Sequence, residues 1–136
     1  MKHLLFILLT VIFFSGCAPQ STLSPAMQAD VARPLYCQGA KECKDMWKRA
    51  LQFVSLNAGY KIDTANAAII ETKQLQCDSC YLHPDRTLAM RVTKSPLGDG
   101  RYQILTNAWC YKTRSCTPDI EETLWRAKLF IREGRE

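Results

Sequence analysis

The cysteines constrain this 136-residue chain more than any other feature. Six of the seven fall into three close pairs, Cys37 with Cys43, Cys77 with Cys80 and Cys110 with Cys116, while Cys17 stands apart. Six thiols allow about fifteen pairings, of which local pairing is the simplest. In the chain-entropy model each short loop so closed contributes roughly 2 kcal/mol, about 6 kcal/mol together, which rivals the whole stability of a small domain. Whether the thiols oxidise depends on the compartment, and the N-terminus addresses that question. Lys2 and His3 make a short basic head, and from Leu4 to Phe14 only Thr10 is not apolar. A run of this length suits the h-region of a signal peptide. It falls well short of the roughly 20 apolar residues that cross a bilayer, and no other stretch comes closer.

The run ends in Phe14-Ser15-Gly16-Cys17, a bulky apolar residue, two small residues and a cysteine. Residues 1 to 17 thereby resemble the precursor of a bacterial lipoprotein with its lipobox, although Phe14 stands where leucine is usual. The resemblance implies that residues 1–16 are removed as a signal peptide. It also implies that Cys17 becomes a lipidated N-terminus, with a thioether-linked diacylglyceryl group and an amide-linked acyl chain. At about 0.8 kcal/mol per buried methylene, each chain is a strong hold, and three make release negligible. Ala18, in place of the aspartate that retains such proteins at the inner membrane, implies the periplasmic face of the outer membrane.

Removal of the leader leaves 120 residues, enough for one domain, and lowers the formal charge from +5 to +4 by loss of Lys2. No cluster of Lys or Arg is dense enough to argue for nucleic acid. Residues 18–36 mix Pro, Ser, Gln and Ala without helical or strand period, so residues 17–36 are expected to be a lipidated, flexible tether holding the domain about 25 Å from the lipid. Residues 37–136 are expected to form a single globular domain.

Within it, apolar residues at helical spacing, including Met46, Trp47, Ala50, Phe53 and Val54, predict an amphipathic helix from Lys41 to Ala58 that stops at Gly59. A Cys37–Cys43 bond would pin the end of the tether to its first turns. Residues 60–64 and 67–73 read as a hairpin, with Ala65-Asn66 as its turn. Alternation in 86–94 and 101–110 predicts a second hairpin, with Ser95 to Gly100 as its loop. Thr117 is expected to cap a last helix, with Pro118 in first position and acidic residues at its start. The expected fold is therefore α+β, a four-stranded antiparallel sheet with two helices packed on one face, stapled by disulfides.

Cys77-Asp78-Ser79-Cys80 is the one motif with an enzymatic precedent. A C-x-x-C couple works when its first sulfur sits at a helix N-terminus that lowers the thiol pKa. Here no helix is expected to follow, so a structural clip is favoured over a periplasmic thiol-disulfide oxidoreductase, which remains the alternative function. Cys77, Cys80, His83 and Asp85 offer donor atoms for zinc, but the spacing is cramped and oxidation would consume the thiolates first, so no metal is expected. Nor is a cofactor or a catalytic residue: the mature chain holds one histidine, and no nucleophile elbow or phosphate-binding loop is present. The expectation is a non-catalytic binding or structural module, anchored to membrane, that meets an envelope protein or cell-wall partner through Tyr81, Leu82 and His83 on the Cys77–Asp85 loop.

Overall fold

The structure, a computed structural model, describes residues 22–73, 87–110 and 116–135. In chain order the elements are α1 (Pro25–Ala32), β1 (Leu35–Gln38), α2 (Gly39–Asn57), β2 (Ile62–Ala65), β3 (Ile69–Thr72), β4 (Ala89–Gly98), β5 (Arg101–Trp109) and α3 (Ile120–Glu133). The strands form one antiparallel sheet in the order β1-β5-β4-β3-β2. The α+β class expected from sequence is thus observed, but with five strands and three helices where four and two were expected. Both extra elements come from residues 25–38.

The helix α1 has no apolar stripe, which is why periodicity does not reveal it. Its ends are held instead. The Ser24 side chain accepts from Met27 N–H, Pro25 takes the first helical position, and Arg33 ends the helix ahead of Pro34. Strand β1 is only four residues long, with Leu35 and Cys37 buried and Tyr36 and Gln38 exposed. It adds to the outer edge of β5 in the register Leu35 to Ile104 and Cys37 to Tyr102.

Alternation places Leu35, Ile104, Val92, Met90 and Ile70 on one face of the sheet. There they meet Met46, Ala50, Phe53 and Val54 of α2 and Ala127 and Ile131 of α3 in a single core. Phe53 packs tilted against Phe130 at 5.8 Å between ring centroids. Thr72, fully buried, satisfies its hydroxyl by donating to Met90 O and accepting from Met90 N–H, so the side chain extends the β3–β4 ladder by one step. On the other face Arg91 pairs with Glu71 and lies over the Trp109 ring at 5.8 Å, while Tyr36 and Leu105 are exposed.

Three local expectations are corrected. The second hairpin's loop is not six residues: strand pairing runs through Pro96 opposite Tyr102 and Gly98 opposite Arg101, with a bulge between. Only Asp99-Gly100 turns, at φ 53° and 71°, the double positive φ of a type I′ turn, whose twist matches the strands it joins. The first hairpin turns at Asn66, whose Oδ1 accepts from both Ala68 N–H and Ile69 N–H. The cap of α3 is Asp119 rather than Thr117. Its carboxylate accepts from Glu122 N–H, whereas Thr117 is extended in a bridge with Thr87 and so cannot begin a helix.

Two joints between helices use the same device, a cation donating to the carbonyls at a helix C-terminus. Arg49 of α2 donates to Ile131 O at 2.7 Å and Arg132 O at 3.1 Å at the end of α3. Lys128 of α3, only 4 % exposed, donates through Nζ to Asp30 O at 2.9 Å and to Val31 O and Arg33 O at the end of α1. Arg132 adds an ion pair to Asp30 at 3.3 Å.

Candidate functional site

The β4–β5 hairpin runs beyond the end of β3, while β1 follows β5 as far as Arg101, and near its turn it carries one of the exposed apolar side chains of the described residues, of which Tyr36 and Leu56 are the more exposed. Leu97, at the bulge, is 47 % exposed, beside the exposed Pro96. The turn and the strands that lead to it are braced on three sides. Gly39 N–H at the start of α2 donates to Gly100 O at 2.9 Å. Cys37, opposite Tyr102, is bonded to Cys43, which ties β1 to α2. Lys94 Nζ lies 4.7 Å from the Trp47 ring centroid and 5.6 Å from that of Tyr102, while Trp47 Nε1 donates to Asn66 O at 3.0 Å.

A cation between two aromatic rings loses little by partial burial, because the ring faces replace some of its hydration. The stack therefore stiffens the hairpin where it leaves the core and still presents Leu97, Pro96 and Arg101 to solvent. Beside it a shallow groove of about 540 Å³ is lined by Gln38, Lys41, Glu42, Asp45 and Arg49, with charges of both signs. Such a surface recognises by shape, apolar contact and hydrogen bonding. Among the described residues no three or more His, Cys, Asp or Glu side chains gather as a metal site would require.

Of the residues singled out from sequence, Cys37–Cys43 and Cys110–Cys116 are paired as expected, with Cα separations of 5.1 and 5.7 Å. Cys17, Cys77, Cys80, Tyr81, Leu82 and His83 lie outside the described residues. The described residues that flank the last five, Lys73 and Thr87, stand at the end of the sheet opposite the β4–β5 turn, as does Cys110. The tip itself escaped the sequence reading because Ser95 to Gly100 looks like undifferentiated loop. The signal that would have found it is Asp99-Gly100, which fixes a two-residue turn and so makes Leu97 part of a strand end.

Among the described residues no helix is long and apolar enough to cross a membrane. No protein-family model, curated protein or solved structure matches this chain.

Proposed function

We propose that this chain is a lipid-anchored lipoprotein of the bacterial envelope, on the periplasmic face of the outer membrane, acting as a non-catalytic binding or structural module for an envelope protein or cell-wall partner. One observation carries the proposal. Cys17 alone stands outside the cysteine pairs, directly behind an apolar leader run, in a chain whose described cysteines are disulfide-bonded. Disulfides persist in exported proteins and are rare in a reducing cytosol, which supports export independently of the leader.

Two surfaces are proposed for the partner. One is the segment with Tyr81, Leu82 and His83, which a Cys77–Cys80 bond is expected to constrain. The other is the β4–β5 tip with Leu97 and Arg101, a rigid element with exposed apolar area.

The test has two steps. Cells fed labelled fatty acid should incorporate it into the protein and place it in the outer-membrane fraction, and Cys17→Ala should abolish both; a cytosolic, unlabelled wild type would end the proposal. Photo-cross-linkers placed in turn at Leu97 and Tyr81 should then capture the same envelope component from at least one position. Capture unaffected by changing the partner-facing residues to Ser would remove that surface.

A further inference from the structure

We infer that the folded body rests against the bilayer surface itself, on a leash of only five residues, because α1 is locked onto α3. The inference rests on the lipid anchor at Cys17. The expected tether of 18–36 would have let the domain stand clear of the membrane. The structure shortens it: Leu23 is already buried at 6 % exposure, Ser24 caps α1, and α1 packs on α3. Beyond the packing, α1 is held at its far end by Lys128 on three carbonyls and by the Asp30–Arg132 pair. The chain between anchor and body is then residues 18–22.

Chain length sets the geometry. Six Cα–Cα steps span at most about 20 Å when fully extended, and roughly 13 Å as a coil. A headgroup layer about 5–8 Å thick takes part of that reach. A body of 114 residues is about 35 Å across, so the free length is under half its diameter. The side that carries the start of α1 therefore has to face the headgroups, and the +4 charge of the leaderless chain favours contact with anionic lipid. Releasing α1 would lengthen the leash to residues 18–34, with a coil size of roughly 23 Å. The α1–α3 joint, with Lys128 and Arg132 at its end, thus sets whether the domain lies on the membrane or above it.

The experiment is neutron reflectometry on the native acylated protein in a supported phosphatidylethanolamine and phosphatidylglycerol bilayer. Expected is a protein layer whose inner boundary touches the headgroups, which moves outward in Lys128→Met. An insertion of twelve Gly and Ser residues between Ser21 and Thr22, which leaves the body untouched, should produce the same outward shift. A wild-type layer separated from the headgroups by a water gap, or a layer that stays in place when the leash is lengthened, overturns the inference. The mass of the N-terminal peptide separates the two failures. With acyl chains present, a gap sinks this inference alone; without them, the anchor itself falls and this inference falls with it.

Discussion

Gly59 shows how a single missing Cβ can fix a chain crossing. Its N–H donates to Leu88 O at 2.9 Å, and a Cβ built on it would lie 2.0 Å from Thr87 Cγ2. We expect Gly59→Ala to destabilise the fold by about 1–3 kcal/mol through overpacking, and Thr87→Ser, which removes the methyl and keeps the hydroxyl, to restore most of the loss in the double variant. Urea unfolding of the four proteins of the cycle measures this; purely additive effects would refute the clash.

Lys128 makes a prediction about pH. Burial pulls its pKa below the usual 10.5, with Asp30 acting upward and Arg132 downward. Between that lowered pKa and 10.5 the folded chain binds fewer protons than the unfolded one, so stability rises with pH there. Below the folded pKa the penalty for burying the ammonium is fully present; it fades as the pH approaches 10.5. Wild type should therefore gain stability relative to Lys128→Met across this alkaline window, as read by denaturation at a series of pH values. A difference that is flat or falls with pH would contradict the assignment.

Among the elements, α3 is where local rules compete most visibly. Thr117-Pro118 carries a strong cap-and-first-turn signal, yet Asp119 is the cap because Thr117 is committed to Thr87. Asp119→Ala should cost about 1 kcal/mol, while Thr117→Ala should leave the helix start unchanged, as hydrogen exchange of the Glu122 and Thr123 amides would report. The capping argument fails if the two variants behave alike. In α1 the opposite holds: its ends carried a legible signal, Ser24-Pro25 at one and Arg33-Pro34 at the other, but no apolar stripe pointed to what it packs on. Its partner is polar, a lysine from α3 some hundred residues away in sequence, and no local pattern encodes such a contact.

For the whole molecule, the two described disulfides close short loops at opposite ends of the sheet. Cys37–Cys43 braces the hairpin tip, and Cys110–Cys116 stands at the corner between β5 and α3. Replacing each pair by Ser should cost about 2 kcal/mol, nearly additively because the sites stand at opposite ends of the sheet. Urea midpoints of the two variants and their combination test this, and a combined loss far above the sum would mean that the ends are coupled through the core.

From the sequence alone come the α+β class, the apolar face of α2, the alternation of the β4–β5 pair, and the local pairing of those four cysteines, because periodicity and short spacing act over a few residues. Tertiary structure decided the rest. Strand β1 pairs with the edge that β5 offers it, α1 is held by packing on α3 together with Lys128 and Arg132, and Leu97 is presented because pairing continues to the Asp99-Gly100 turn. The first two depend on groups brought together from distant parts of the chain, whose loop-closure entropy only the assembled core can offset, whereas the third follows from local turn chemistry at Asp99-Gly100.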